Sequence, residues 1–322
     1  MIHTRRVTAA WKRWLSVMAY GLVTRLMYGP DTPVATARRR FEWLATVSRE
    51  KMKAKFPNMV FADHQAGATR IEVLCAVPNP RRVVLYLHGG GYIVGSSASY
   101  RDRARVVSYR CQAEVFVPDY RLAPENPFPA ALEDALEAWA YVTALRPDAP
   151  LAIAGDSAGG GLALSLIAAL RDAGKRLPDG AVLISPWTDL AITGESITRN
   201  HGKDVWMNRR SLEAWSRHYV GKSDSRHPGI SPLNADFTGF PPLFMVVGDE
   251  EVMLDDTSRV ESRARDAGVD VDACVGRRMQ HDFPITLPWL EESREAWERI
   301  VAFLDRTVAS ATALSEQATE SR

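Results

Sequence analysis

From residue 66 onward, the sequence alternates between short apolar segments and longer amphipathic ones. The short segments are apolar on both faces and rich in Val, Ile and Leu, which is typical of central parallel strands. They are RIEVLCAV, VVLYLHG, EVFVPDY, LAIAGD, AVLISPW, PPLFMVVG and VDACVG. Helical patterns separate them at 99–110, 129–145, 158–173, 255–267 and 288–307. The alternation predicts an α/β protein with a mostly parallel, doubly wound sheet.

Two long segments depart from this alternation. Residues 1–65 are mostly helical in pattern, and residues 187–238 contain no strand pattern but several aromatic residues. Such an insertion is expected to fold over the carboxyl ends of the strands, where sheets of this kind bind ligands. We therefore predict an N-terminal helical cap segment at 1–65 and a cap insertion at 187–238. The core is expected at 66–186 and 239–310, with a disordered polar tail at 311–322.

The N-terminal residues combine basic and apolar side chains, as a signal peptide does. The uncharged run between Arg13 and Arg25 is eleven residues long, too short to cross a bilayer, and no clear cleavage site follows. Six apolar residues recur at helical spacing, namely Trp11, Trp14, Leu15, Met18, Leu22 and Leu26. We predict an amphipathic helix that packs on the body of the protein without stable membrane insertion. Loose attachment to a membrane or the cell envelope is the alternative.

The overall charge and the cysteines argue against several classes of partner. A net charge of +1 gives no case for nucleic acid or an anionic membrane as the main partner. The three cysteines are far apart and form no CxxC motif, which favours reduced thiols and a cytoplasmic location. We expect no metal site and no cofactor. Homo-oligomerisation stays open.

The most informative motif is Gly155-Asp156-Ser157-Ala158-Gly159, where an apparent strand runs directly into a helix. The chain must reverse within a few residues, so the residue at the tip is strained and its neighbours must be small. A nucleophile needs such an exposed position at the start of a helix. A plain glycine turn is the structural alternative, but this strand–turn–helix setting favours Ser157 as a nucleophile.

A serine hydroxyl requires a base to take its proton. The candidates are His3, His64, His88, His201, His218, His227 and His281. For an elbow of this kind the expected order along the chain is serine, acid, histidine, with the histidine on a loop after the last strand. His281 follows the strand VDVDACV and precedes the final helix, so it is the predicted base. An exposed loop histidine is the alternative.

A glycine-rich loop, His88-Gly89-Gly90-Gly91, follows another predicted strand. Three glycines let the backbone turn its N–H groups toward one point, where they could hold an oxyanion together with the N–H of Ala158. Phosphate binding is the alternative, but neither phosphate-binding glycine spacing occurs in the chain. We expect His88 to brace the loop and to transfer no proton.

Five carboxylates follow the strand PPLFMVV, in the segment GDEEVMLDD. They are Asp249, Glu250, Glu251, Asp255 and Asp256. A shift of one residue at a strand end exchanges the two faces, so position alone leaves the first three open as partners of His281. The last two begin a helix, where a capping role would explain them. A solvated acidic loop is the alternative for the whole segment.

The ordered motifs between residues 80 and 310 resemble those of the bacterial branch of the hormone-sensitive-lipase family of carboxylesterases. The matching motifs are HGGGYIVGS, DYRLAPENPFPAALED, GDSAGG, SPW, SPLNAD and the region from Glu251 to His281. The resemblance implies an α/β-hydrolase fold with a helical cap and hydrolysis of short-chain acyl esters. It implies an oxyanion hole and an elbow at Gly89, Gly90, Gly91, Ser157 and Ala158, and a base at His281.

Two positions depart from the family's pattern. The family's acid commonly reads Asp-Pro-Leu-x-Asp, whereas this chain has Glu251-Val-Met-Leu-Asp255. The family's pattern of an acid, three residues and an aspartate fits Glu251 and Asp255, so the resemblance implies Glu251 as the acid, with Asp249 and Glu250 as alternatives. The residue after the histidine is often glycine in the family and is Asp282 here.

The sequence therefore predicts a serine carboxylesterase that acts on small-molecule esters with short to medium acyl chains. The predicted pocket walls are Tyr92, Trp187, Trp206, Met207 and Tyr219. Alternatives are an amidase or peptidase on the same residues, a lipase acting at lipid interfaces, and a ligand-binding receptor built on an inactive hydrolase. Plant gibberellin receptors resemble the family but lack the base, whereas His281 is present here.

Overall fold

The computed structural model describes residues 1–27 and 31–320, and a nine-stranded sheet forms the centre of this part of the chain. The strands are β1 (Ile2–His3), β2 (Val60–Ala66), β3 (Thr69–Cys75), β4 (Arg82–Leu87), β5 (Ala113–Pro118), β6 (Leu151–Asp156), β7 (Gly180–Ile184), β8 (Leu243–Gly248) and β9 (Val271–Gly276). Their order across the sheet is β1-β9-β8-β7-β6-β4-β5-β3-β2. Among these strands, the pairs β2–β3 and β3–β5 are antiparallel and the other six pairs are parallel, so the predicted mostly parallel α/β sheet is confirmed.

Helices cover both faces of the sheet and its carboxyl edge. They are α1 (Ala10–Met27), α2 (Val34–Ala45), α3 (Arg49–Lys55), α4 (Ser97–Cys111), α5 (Ala130–Leu145), α6 (Ala158–Asp172), α7 (Ser196–Arg199), α8 (Arg209–Val220), α9 (Leu254–Asp266), α10 (Phe283–Thr286) and α11 (Glu291–Glu320). A 3₁₀ turn spans Pro232–Asn234. No helix among the described residues is both long and apolar enough to cross a membrane.

The central strands carry the hydrophobic core. Every residue of β4, β6, β7 and β8 is buried, as expected for strands covered on both faces. The sequence pattern predicts all seven strands from β3 to β9 but neither β1 nor β2. β2 lies at the sheet edge, where its polar side chains face solvent, and β1 has only two residues.

Two segments outside the sheet reach the carboxyl ends of the strands. The predicted cap insertion connects β7 to β8 and contains α7 and α8. From the N-terminal segment, Arg38 of α2 donates to the carbonyl oxygens of Ile93 (2.7 Å) and Ala123 (2.6 Å) and pairs with Glu125. These bonds fix α2 beside the glycine-rich loop.

The first helix, α1, forms as predicted, but its apolar residues do not pack on the body of the protein. Trp11, Trp14, Leu15, Met18 and Leu22 are between 52% and 64% exposed. The inward side carries Arg13, Ser16, Val17 and Gly21 instead. The helix does lie against the body of the protein, but by this other side. The expected packing of its apolar face is wrong, because periodicity defines a helical face but not the side on which the protein lies. The side chain of Leu26 falls outside the described part.

The last helix, α11, extends to Glu320, into the segment where the sequence analysis expects a disordered tail. The segment from 311 to 320 contains Ala, Leu, Glu and Gln, which have high helix propensity, so a polar composition did not by itself indicate an unstructured tail. Residues 321–322 of the predicted tail lie outside the described residues.

Candidate active site

Ser157 lies at a sharp turn between β6 and α6. Its backbone angles, φ 51° and ψ −121°, are strained for a residue with a side chain. A Cβ on Gly159 would collide with the carbonyl oxygens of Leu87 and His88, so only glycine allows α6 to approach β4 this closely. The Ser157 N–H donates to the carbonyl oxygen of Ile184 (2.8 Å), which holds the turn against β7.

His281 lies on the loop between β9 and α10, next to Glu251. Its Nδ1 is 2.9 Å from Oε2 of Glu251, and both side chains are buried. The other carboxylate oxygen of Glu251 accepts hydrogen bonds from the Ser185 hydroxyl (2.8 Å) and the Gly248 N–H (2.5 Å). With one oxygen held by these donors, the carboxylate presents the second to the histidine, which favours a proton on Nδ1.

The two alternative acids have other partners. Asp249 accepts from the N–H of Arg278 (2.5 Å), and Glu250 accepts from the side-chain amide of Gln280 (2.8 Å). Of the three candidates, Glu251 is the one that the structure brings within hydrogen-bond distance of His281.

Asp255 and Asp256 hold the cap insertion to the core. Asp255 accepts from the N–H of Ser196 (2.8 Å), and Asp256 from those of Thr188 (2.7 Å) and Asp189 (2.8 Å). Both acids lie in the first turn of α9, as predicted, but the N-cap is Met253 and makes no side-chain cap bond, so the capping part of the prediction is wrong. Burial and the nearby charge of Asp189 raise the pKa of Asp256 to about 7.

The glycine-rich loop contributes two of its three glycines to the pocket, Gly90 and Gly91. Gly89 differs from the prediction, because its N–H donates to Oδ1 of Asp156 (3.1 Å) and so serves to anchor the loop. The same carboxylate accepts from the hydroxyls of Tyr86 (2.8 Å) and Tyr100 (2.9 Å). Three donors on one buried acid fix the loop relative to the elbow.

His88 is buried behind the glycine-rich loop. Its Nδ1 lies 2.8 Å from the carbonyl oxygen of Gly89, and its ring stacks on Tyr120 with 4.2 Å between centroids. Burial lowers the pKa of His88, so the ring is neutral. These contacts agree with a bracing role for His88.

One pocket brings these parts together. Ser157, His281, Gly90 and Gly91 line it, as do two of the predicted wall residues, Trp206 and Met207. Six further residues line the pocket that were not predicted as walls: Phe41, Ile93, Tyr100, Arg103, Trp215 and Asp282. Phe41 and Trp215 occupy helical positions that periodicity marks as apolar, but the sequence does not show which apolar positions face a ligand pocket.

Three predicted wall residues do not line the pocket. Tyr92 stacks on Tyr219 with 3.6 Å between ring centroids, and it lies at an angle to Trp187, 6.3 Å away. All three are buried. The prediction is wrong for them because the three rings fill space between the cap insertion and the glycine-rich loop, where they pack against each other.

Asp282 lies on the far side of the His281 ring from Glu251. Its Oδ2 is 3.2 Å from Nε2 of His281, and its buried Oδ1 has no hydrogen-bond partner in the described part of the chain. Burial alone would lower the pKa of His281, but the carboxylates of Asp282, Glu251 and Asp204 outweigh it and raise this pKa to about 9. Burial also raises the pKa of Asp282, so the imidazole and this carboxyl titrate as a pair.

The pocket thus combines a strained serine, a histidine held by a buried glutamate, and backbone N–H groups at a helix start. Ser157 and His281 line the same pocket, although no hydrogen bond joins their side chains in the described structure. Among the described residues, no group of three or more His, Cys, Asp or Glu side chains is placed to hold a metal ion. The arrangement has the groups required for nucleophilic acyl transfer.

Comparisons with known proteins agree with this chemistry. A family model described as alpha/beta hydrolase fold matches residues 84–285. An acetyl-hydrolase of Streptomyces hygroscopicus is 42% identical over 69% of this chain and 75% of its own length. An ethyl acetate hydrolase of Pseudomonas putida is 33% identical over 69% of this chain and 72% of its own. The crystal structure of an esterase from the bacterial hormone-sensitive lipase family aligns with a TM-score of 0.82 and 34% identity, over 94% of this chain and 100% of that one.

Proposed function

The chain belongs to the bacterial hormone-sensitive-lipase-like carboxylesterases of the α/β-hydrolase fold and is a carboxylic ester hydrolase, and from this premise we propose the residues and substrates of its reaction. The family, the fold and the enzyme class predicted from the sequence are thereby confirmed. We propose that Ser157 is the nucleophile, His281 the base and Glu251 the acid of a triad that cleaves short- to medium-chain acyl esters.

The observation that carries this proposal is the 2.9 Å contact between Glu251 and His281 at a pocket that also contains the strained Ser157. Glu251 accepts a hydrogen bond from the Nδ1–H of His281, which leaves Nε2 as the atom that takes the serine proton. Ser157 Oγ then attacks the ester carbonyl carbon, and the tetrahedral intermediate collapses as His281 protonates the leaving alcohol. His281 next activates a water molecule that releases the acid from the serine ester.

We assign the oxyanion hole to the backbone N–H groups of Gly90, Gly91 and Ala158. Gly90 and Gly91 line the pocket, and both have positive φ values that suit glycine. Ala158 is the first residue of α6 and directly follows the nucleophile, as the second donor of such a hole does. Gly89 is left out of the assignment because its N–H donates to Asp156.

The proposed substrates are esters with short or medium acyl chains. The relatives described as acetyl-hydrolase and ethyl acetate hydrolase support the short end of this range. Side chains from the N-terminal segment and the cap insertion line the pocket, namely Phe41, Trp206, Met207 and Trp215, and they support a limited acyl length. We accordingly propose the domain division given by the sequence, with residues 1–65 and 187–238 as cap and residues 66–186 and 239–310 as core.

The direct test is Ser157→Ala with a soluble p-nitrophenyl ester as substrate. Turnover should fall on the order of a millionfold while the melting temperature changes little, because only the hydroxyl is lost. Ser165→Ala, two turns along α6 and away from the pocket residues, is the matched control and should keep near wild-type turnover.

A serine-directed phosphonate, followed by peptide mapping, gives a second readout. It should modify Ser157 alone in the wild-type enzyme and nothing in Ser157→Ala. Modification of another serine, or an active alanine variant, would refute the assignment of the nucleophile. An aryl amide of the same acyl group, assayed in parallel, measures how far the proposed triad prefers esters.

A further inference from the structure

Helix α1 presents an apolar stripe to solvent. Trp11, Trp14, Leu15, Met18 and Leu22 recur every three or four residues, so they lie on one face of the helix, and each is more than half exposed. Trp289, 57% exposed, lies beside α1, because its Nε1 donates to the Ser16 hydroxyl (3.0 Å). A contiguous exposed apolar surface of this kind usually marks an interaction site.

The opposite face of α1 lies against the wall of the active-site pocket. The backbone of Gly21 is so close to Val205 that an added Cβ would lie 3.0 Å from the Val205 Cβ. The next two residues, Trp206 and Met207, line the pocket. The exposed stripe is therefore carried by a helix whose other side packs directly behind the substrate site.

The segment that carries the stripe is strongly basic. Residues 1–27 contain five Lys or Arg residues and no Asp or Glu, although the net charge of the whole chain is only +1. Arg5, Arg6 and Lys12 are exposed, and the Lys12 Nζ lies 5.5 Å from the centre of the Trp11 ring. Tryptophan and lysine on one helix, with arginine in the residues just before it, is the composition of segments that lie in the headgroup region of an anionic bilayer.

We propose that α1 binds the surface of an anionic lipid membrane through the stripe defined by Trp11, Trp14, Leu15, Met18 and Leu22. The apolar side chains enter the boundary between headgroups and acyl chains, and Arg5 and Lys12 contact lipid phosphates, whereas Arg6 pairs with Glu298. The helix lies along the membrane and does not cross it. Bound in this way, the enzyme holds its ester pocket one helix away from the lipid surface.

A second copy of the chain is the competing occupant, and charge argues against it. A two-fold symmetric contact through α1 would bring the two basic segments face to face. Like charges at such a contact repel one another, whereas anionic phosphates neutralise them. The same segment that would oppose pairing therefore favours a lipid surface.

Binding can be measured by sedimentation of the full-length protein with phosphatidylcholine vesicles, with and without phosphatidylglycerol. The wild type should sediment with the anionic vesicles, less with pure phosphatidylcholine, and less at high ionic strength, because salt screens the basic residues. Trp11→Ala/Trp14→Ala should lower the fraction bound about tenfold or more. Its turnover of a soluble ester should match the wild type, because neither tryptophan lines the pocket.

Tyr109→Ala is the matched control, because Tyr109 is an aromatic residue on α4 with the same 62% exposure as Trp14. It should bind vesicles like the wild type. Equal binding of the tryptophan double variant and the wild type, or no binding of the wild type to anionic vesicles, would overturn the proposal. So would a wild-type dimer in sedimentation velocity that becomes a monomer in the double variant while neither binds vesicles. Vesicle binding is measured without any catalytic step, so a negative result would refute the membrane proposal and leave the proposed triad untouched.

Discussion

At the scale of single residues, the acid beside His281 owes its place to the donors on its far oxygen. The Ser185 hydroxyl and the Gly248 N–H hold Oε1 of Glu251, and Oε2 faces the imidazole. The carboxylate is fully buried, so these bonds replace the solvation it has lost. Gly248, the last residue of β8, supplies an N–H that orients the Glu251 carboxylate three residues farther along the chain, so a glutamate can serve here.

Replacing this carboxylate should impair catalysis without removing the nucleophile. Glu251→Gln keeps the side-chain shape but no longer favours the proton on Nδ1 of His281, so kcat should fall about a hundredfold or more. Asp249→Asn and Glu250→Gln are matched controls from the same turn and should stay within a few fold of the wild type. If either control is the impaired variant and Glu251→Gln is not, the acid has been misassigned.

Asp282 occupies the other side of the same imidazole. Its Oδ2, 3.2 Å from Nε2, holds the ring atom that must receive the proton of Ser157. The backbone of Asp282 is left-handed, with φ 56°, a conformation that Asp and Asn tolerate better than most residues. The carboxylate therefore has a direct effect on the protonation of the base.

Asp282→Asn should move the pH dependence of activity. His281 acts as a base only when neutral, so kcat/KM rises as the pH passes upward through its pKa, which is raised to about 9. Removing the Asp282 charge lowers this pKa, so the acidic limb should shift to lower pH by on the order of one unit. The substitution keeps the backbone conformation, and Asp249→Asn is the control. An unchanged acidic limb would show that Asp282 does not influence the base.

At this scale, the sequence predicts residues with local signatures and misses those defined by contacts in space. The glycines around Ser157 and the position of His281 after the last strand are local, and both residues line the pocket. The bond from Gly89 to Asp156 depends on how two separate loops meet, and no spacing along the chain encodes it. Asp282 is adjacent to His281 in the sequence, but its contact with Nε2 depends on the left-handed backbone at Asp282, which the sequence pattern does not show.

At the scale of secondary structure elements, the elbow requires α6 to start against the end of β4. Gly159 makes this approach, and an added Cβ would meet the backbone carbonyl oxygens of Leu87 and His88. Backbone atoms at a strand end cannot move aside as a flexible side chain can. The spacing of these elements thus depends on the absence of one methyl group.

Gly159→Ala should lower the free energy of unfolding by about 3 kcal/mol or more, because the collision forces the helix away from the strand. Gly174→Ala is the comparison, since φ is +59° there and nothing lies within 4 Å of the added Cβ. That variant should lose only about 1–2 kcal/mol of its free energy of unfolding, which is the cost of a left-handed backbone at alanine. Denaturant titration of both variants measures the difference, and equal losses would argue against the close approach.

Elements were predictable where both faces of a strand are buried. The apolar runs of β4 and β6 to β8 gave a clear pattern, whereas the alternating, half-exposed β2 did not. For α1 the periodicity correctly indicated a helix with an apolar face. It could not say that this face points to solvent, because packing depends on the surface that the rest of the chain offers.

At the scale of the whole molecule, the pocket is assembled from segments far apart in the sequence. Phe41 comes from α2, Tyr100 and Arg103 from α4, and Trp215 from the cap insertion. The Trp215 ring lies against Gly91 of the glycine-rich loop, where an added Cβ would be 3.1 Å from it. Cap residues therefore limit the space directly beside the proposed oxyanion hole.

Shortening this cap side chain should change which acyl chains the enzyme accepts. Trp215→Ala removes the ring beside Gly91, and each methylene that then becomes buried contributes about 0.8 kcal/mol to binding in the transition state. The ratio of kcat/KM for p-nitrophenyl octanoate to that for the acetate should therefore rise about tenfold or more. Trp43→Ala is the matched control, because Trp43 on α2 is 84% exposed and does not line the pocket. Its ratio should equal that of the wild type, and an unchanged ratio in Trp215→Ala would mean that the cap insertion does not set the acyl length.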